Sequence, residues 1–180
     1  MLDLQIENVA QFTLRDYLQR DLPSLADIYA SSIRGAGPEY YTHPQVAAWA
    51  GFAEDIEAFR MWIEEARTLV AVSGNGACIG FSGLIEENHI SALFVSPTHQ
   101  RQGVASMLLG RLLEEVRAKG VRAASAHASE FSRPLFGKFG FEVVQLERTE
   151  VKGVEMSRYK MYANPFRTQL VTCDIRGGRF

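Results

Sequence analysis

Residues 89–120, HISALFVSPTHQRQGVASMLLGRLLEEVRAKG, constrain the fold more than any other stretch of the chain. Residues 90–95 are nearly continuous apolar sequence, as expected of a strand covered on both faces. Ser96-Pro97 stops that strand, because proline has no N–H to give to a ladder. From Gln102 onward Ala105, Leu108, Leu109, Leu112, Leu113 and Val116 recur at helical spacing, and Gly120 closes the helix. Between the two lies the turn Gln100, Arg101, Gln102, Gly103, Val104, Ala105. A strand that feeds a helix through such a turn exposes the first N–H groups of the helix, with the positive end of its dipole behind them. That geometry receives phosphate. The stretch lacks the Lys-Ser/Thr end of a nucleotide P-loop and the three glycines of a dinucleotide fingerprint.

Composition narrows the class. At 180 residues, with 47% hydrophobic and 22% charged residues, the chain is expected to form one globular domain with a sizeable core. A net charge of -2 gives no bulk attraction to nucleic acid or to an anionic membrane. No apolar run approaches the roughly 20 residues of a membrane helix, and the N-terminal MLDLQIE lacks the basic and apolar regions of a signal peptide. Cys78 and Cys173 give neither a disulfide framework nor a metal site. The expectation is a cytoplasmic protein with no metal, nucleic-acid partner or membrane partner.

The other segments read as follows. Residues 12–18 suit a first strand. Asp21 is an N-cap candidate for a helix that begins with Leu22-Pro23 and is broken at residues 34–38. A loop of polar-tipped aromatics, Tyr40, Tyr41 and His43, precedes a short helix at 45–49 and a longer one at 55–66 that buries Ile56, Phe59, Trp62 and Ile63. Strands at 68–72 and 78–85 flank Ser73-Gly74-Asn75-Gly76, a hairpin turn. After the central helix come an alanine-rich strand at 122–128, reached by a crossover long enough for parallel pairing, a short helix at 132–139, and a hairpin of strands 141–149 and 154–162. The order is β-α-α-β-β-β-α-β-α-β-β, a mixed α+β sandwich around a central sheet.

The strand ending Leu93-Phe94-Val95-Ser96-Pro97, followed by Gln-Arg-Gln-Gly-Val-Ala, resembles the acyl-CoA motif of the GNAT superfamily of N-acetyltransferases. The segment 133–141, RPLFGKFGF, is similar to the family's pattern near its last helix, and the region from Ile28-Tyr29 to Trp49 resembles small bacterial members. The resemblance covers roughly residues 10–163. It implies a central mixed, mostly antiparallel sheet flanked by helices, a GNAT-like domain at 1–163, and a C-terminal extension at 164–180.

The same resemblance implies an acetyl-CoA-dependent N-acetyltransferase, in which an amine of a small molecule, peptide or protein attacks the thioester directly, with no metal and no covalent acyl-enzyme. Backbone N–H groups from Gln102 to Ala105 would hold the pyrophosphate, Gly103 would allow close approach, and Arg101 would add charge. Gln100 belongs to the same turn. The central strand would splay from its parallel neighbour, leaving backbone near Phe94 and Val95 free for pantetheine and for the oxyanion. Ser129 stands where the family often has an asparagine that touches pantetheine. Phe136 stands where many members carry the tyrosine that protonates the thiolate, so that role does not transfer to this chain. For the general base, His127 is the first candidate, against a core histidine satisfied by backbone carbonyls. Tyr40, Tyr41 and His43 form a second set, against ordinary packing of a surface loop. Glu86 and Glu87 read as turn charges, and His89 and His99 as loop or turn residues. A non-catalytic acyl-CoA sensor is the competing reading, kept open by Phe136. The edge hairpin and the extension after Pro165 leave homodimer and solvated edge as alternatives.

Overall fold

The computed structural model describes residues 12–166. Cys173 and most of the expected extension at 164–180 lie outside the described residues. The elements are β1 (Phe12–Asp16), α1 (Leu22–Ala36), α2 (His43–Ala50), α3 (Ile56–Glu65), β2 (Arg67–Ser73), β3 (Cys78–Ile85), β4 (His89–Val95), α4 (Val104–Ala118), β5 (Ala124–Ala128), α5 (Arg133–Lys138), β6 (Glu142–Val151) and β7 (Val154–Ala163). The short helix α2 counts as an element of its own; otherwise the order is the expected one. The seven strands form a single sheet in the order β1-β2-β3-β4-β5-β7-β6, antiparallel everywhere except between β4 and β5.

Helix α4 covers one face of the sheet. Its stripe of Leu108, Leu109, Leu112, Leu113 and Val116 is buried against Ala124, Ala126 and Ala128 of β5 and against Phe136, Phe139 and Phe141. The alanines are small enough to let the helix lie close to the strand, and their alternation turns Ser125 and His127 to the opposite face. On that opposite face α1 and α3 bury Leu25, Tyr29, Ile33, Phe59 and Ile63 against Val70 and Phe81. Phe81 stacks on Phe94 with ring centroids 5.4 Å apart. No helix among the described residues is long and apolar enough to cross a membrane.

Several local expectations are corrected. Helix α1 runs through residues 34–36 instead of breaking there, and Gly35 is packed beside Pro97, where even a Cβ would make ordinary contact at 3.6 Å. Ile56 is 42% exposed at the start of α3, where Asp55 caps the helix by accepting the Ala58 N–H at 3.1 Å. Strand β4 is not covered on both faces: Ile90, Ala92 and Val95 are buried, while Ser91, Leu93 and Phe94 are half-buried. Its pairing with β3 jumps from Gly83–Ala92 to Leu84–Ile90, which leaves Ser91 as the extra residue of a β-bulge. A Cβ on Gly83 would stand 2.7 Å from Ser91 Oγ, so the glycine makes room for the bulge.

Asp21 precedes α1 but does not cap it with its side chain. Its carboxylate instead accepts two bonds from the Arg15 guanidinium, at 2.6 and 2.9 Å, one from the Leu18 N–H at 2.8 Å, and the Cys78 thiol at 3.6 Å. The buried carboxylate thereby ties β1, the start of α1 and β3 together. The Arg15 hydrogen bonds hold its pKa below the usual carboxylate value, against the opposing effect of burial. A depressed carboxylate contributes stability that is full above its unfolded pKa and is lost as pH falls through the folded one. The urea midpoint should therefore drop between about pH 5 and pH 2 in the native protein. Asp21→Asn should cost about 1–3 kcal/mol at pH 7, since it removes a charged hydrogen-bond acceptor, and should flatten that acid dependence. Parallel denaturation of both proteins at pH 7 and pH 3 measures the difference.

Candidate active site

The parallel pairing of β4 with β5 consists of two residue pairs, His89–Ser125 and Ile90–Ala126. Beyond Ile90 the strands part. Phe94 and Val95 still pair with Phe81 and Gly80 of β3, so β4 keeps one partner and turns its other edge to a cavity of about 500 Å³. The α4–α5 side of the cavity is lined by Val104, Ala105, Leu135 and Phe136, and the α1–α2 side by Ser32, Ile33, Tyr41 and Trp49. Phe94, Val95, Gln100, Arg101, Gly103 and Ser129 also line it, as do His127, Phe131 and Lys138.

The turn into α4 is built from two left-handed residues, Arg101 at φ 59 and Gly103 at φ 87. Gly103 occupies the N-cap position with no side-chain cap, and a Cβ there would meet nothing within 4 Å. The Met107 N–H bonds to Gly103 O at 3.0 Å, so the preceding N–H groups of the first turn have no helical acceptor. With Arg101 and Lys138 lining the same cavity, this end suits a phosphate-bearing ligand. Gln102 does not line the cavity; its Nε2 donates to Thr98 O at 3.0 Å and braces the turn.

His127 faces the α1–α2 side. Its Nε2 lies 3.2 Å from a carboxylate oxygen of Glu147, and the same oxygen accepts Arg158 Nε at 3.1 Å. Burial and then the Arg158 charge push the imidazole pKa below its usual 6.5, against the pull of Glu147. The ring of His89 stands edge-on to His127 at 5.0 Å, with its Nδ1 2.9 Å from Ser125 Oγ. Tyr41 packs edge-on against Trp49 at 5.6 Å, and its hydroxyl accepts the Glu130 N–H at 3.0 Å. Desolvation raises the Tyr41 pKa, which keeps the hydroxyl protonated. Glu130 also receives the Tyr159 hydroxyl and pairs with Arg133 at 3.1 Å.

The structure thus brings eleven of the thirteen sequence candidates into the wall of one cavity and leaves out Gln102 and Tyr40; Tyr40 is 45% exposed and packs on Phe131 at 6.4 Å. His43 begins α2 and is exposed, and Glu86 and Glu87 sit in the β3–β4 turn. Sequence reasoning passed over His99, which lines the cavity, and over Glu147 and Ser91. Ser91 Oγ is buried at the bulge and makes no hydrogen bond among the described residues, although Ser91 lines the cavity. Pattern offered no signal for it, since a bulge inside a uniformly apolar strand leaves no trace in alternation.

The sheet, parted at the one parallel junction among the described strands, and the helix N-terminus without a side-chain cap at its opening mark this cavity as the candidate ligand site. The chain belongs to the acetyltransferase (GNAT) domain family, whose model matches residues 38–163. It is similar to the uncharacterized N-acetyltransferase YafP of Escherichia coli (strain K12), 29% identical over 152 residues that span 84% of this chain and 95% of YafP. A GCN5-related N-acetyltransferase from Rhodopseudomonas palustris superposes with a TM-score of 0.83 at 27% identity, covering 87% of this chain and 98% of that one. A phosphinothricin acetyltransferase from Sinorhizobium meliloti, solved with acetyl-CoA, shares the fold at a TM-score of 0.61 and 24% identity, covering 86% and 88% of the two chains.

The two tyrosines of the aromatic loop are distinguishable by stability. Tyr41→Phe leaves the half-buried Glu130 N–H without its acceptor and should cost about 1 kcal/mol, whereas Tyr40→Phe should leave the denaturation midpoint unchanged. Equilibrium unfolding in urea separates them.

Proposed function

We propose that this chain transfers an acetyl group from acetyl-CoA to a primary amine, carried by a small molecule or a peptide, through direct attack on the thioester. The observation that carries the reading is the convergence on one cavity of the Gly103 turn, the free edge of β4 and the His127 imidazole. The pyrophosphate is held at the N–H groups of Gly103, Val104 and Ala105, with Arg101 adding charge. Pantetheine runs along Phe94 and Val95 with Ser129 opposite. The amine enters from the side of Tyr41 and Trp49.

His127 takes a proton from the acceptor ammonium, and the freed lone pair attacks the carbonyl carbon. The C–N bond forms, the tetrahedral oxyanion is met by a β4 backbone N–H, the C–S bond breaks as the oxyanion collapses, CoA leaves as thiolate, and the nitrogen gives up its second proton to solvent to leave the amide. With a thiol reference pKa of about 8.5, that departure tolerates a weak acid. Phe136 offers no hydroxyl, and Tyr41, kept protonated by its burial, is the candidate donor in the same wall. Phe136 also supports a second reading, an acyl-CoA sensor without turnover; release of CoA thiol in the presence of mixed amines distinguishes the two.

Two measurements test the reading. Gly103→Glu places bulk, negative charge and a side chain at positive φ in the phosphate site, so acetyl-CoA binding by calorimetry should vanish. Unchanged affinity would refute the placement. His127→Ala should lower kcat by about 100-fold or more. Because its pKa is depressed, His127 is neutral and competent down to pH values below 6.5, and the acid limb of kcat/KM in the native protein should fall below that value.

A further inference from the structure

Beside the cavity, on the α1–α2 face of the sheet, lies a cluster of charged and titratable groups. His127 of β5 is faced by His89 from β4, by Glu147 from β6 and by Arg158 and Lys160 from β7. Lys160 is the direct cross-strand partner of His127, and Arg158 is that of Glu147. Glu147 thus reaches across the whole width of β7 to meet His127 at 3.2 Å, while its contact with Arg158, at 3.1 Å, fixes the same carboxylate oxygen from the other side. Its side chain is 20% exposed, although most of β6 around it faces solvent.

A carboxylate only accepts hydrogen bonds. At this distance it selects the imidazole tautomer that carries its proton on Nε2, which leaves the lone pair on Nδ1 as the ring's single acceptor. We propose that Glu147 is a positioning residue for acetyl transfer: held in place by Arg158, it fixes the tautomer and orientation of His127 so that Nδ1 receives the proton of the acceptor amine. The role rests on the assignment of His127 as base and deepens it. In the step, Nδ1 gains the ammonium proton, the N–H bond of the acceptor breaks, and its electron pair stays on nitrogen for attack on the thioester. The imidazolium that results has a carboxylate on its Nε2–H, and it returns the proton to solvent after CoA has left. His89 has its Nδ1 engaged by Ser125 Oγ at 2.9 Å and stands edge-on to the His127 ring at 5.0 Å.

Glu147 and Arg158 bias the same proton in opposite senses, and a packing role has no such signature. Long-range ¹⁵N–¹H correlation of the histidine rings in the full chain, with His127 assigned by loss of its signals in His127→Gln, reads tautomer and titration without any substrate. The native protein should show the Nε2–H form. Glu147→Gln should move the His127 titration to lower pH, Arg158→Gln should move it to higher pH, and Glu147→Ala should abolish the single tautomer. An Nδ1–H tautomer in the native protein, or titrations that do not move in opposite directions, would overturn the proposal.

Turnover of tyramine, spermidine and glycylglycine, followed as CoA thiol release, supplies the second arm. Glu147→Ala should lower kcat roughly tenfold, with KM for acetyl-CoA changed less than about twofold, and Glu147→Asp should recover part of the loss. If His127→Ala is impaired and Glu147→Ala is not, the role of Glu147 falls while the acetyltransferase reading stands. If His127→Ala turns over like the native protein, or no amine is acetylated by any variant, the base and its positioning residue fall together.

Discussion

Two strands that run side by side for two residues and then separate must leave backbone donors and acceptors without partners, and a buried unpaired group is costly. The separation of β4 from β5 is tolerated because each strand keeps a full antiparallel neighbour on its far side, β3 for one and β7 for the other. The gap also sits between two hydrophobic layers that do not depend on it: α4 lies over the alanines of β5, and α1 and α3 lie over Val70 and Phe81. A cleft with polar backbone along its edge and apolar walls on either side is the result. It suits a ligand that brings amides of its own, as a pantetheine arm does.

Much of this was legible in the sequence wherever the determinant is local. Strand β3 falls at the residues read for it, and Gly120 ends α4 in the left-handed conformation expected of a closing glycine. The turn at Gly103 was legible in the same way, and there the glycine takes a left-handed conformation at the N-cap of α4. Reading failed where tertiary contact overrides local preference. Gly35 should weaken α1, yet the helix, packed beside Pro97 at this point, continues through it to Ala36. Asp21 has the composition of a cap, yet the Arg15 guanidinium holds its carboxylate elsewhere.

The candidate site divides along the same line. Most of the proposed phosphate end comes from one contiguous stretch, although Gln102 braces the turn outside the cavity and Lys138 joins the lining from α5. The end proposed to handle protons comes from β5, β6 and β7, with the α1–α2 loop opposite, and only pairing across the sheet brings Glu147 to His127. The bulge at Ser91 is hidden for a different reason. In a run as apolar as ISALFV, a slip of one residue changes which face each side chain takes while leaving the pattern of the sequence unaltered.

Strand β6 pairs with β7 on one side and with no other described strand. Edge strands open at lower free energy than the strands they border, so the carboxylate that meets His127 belongs to one of the more easily detached parts of the sheet. Displacing β6 would withdraw the Glu147 carboxylate from His127 without moving any residue that lines the cavity. The outer rim of the sheet thus carries one of the contacts that hold the His127 ring.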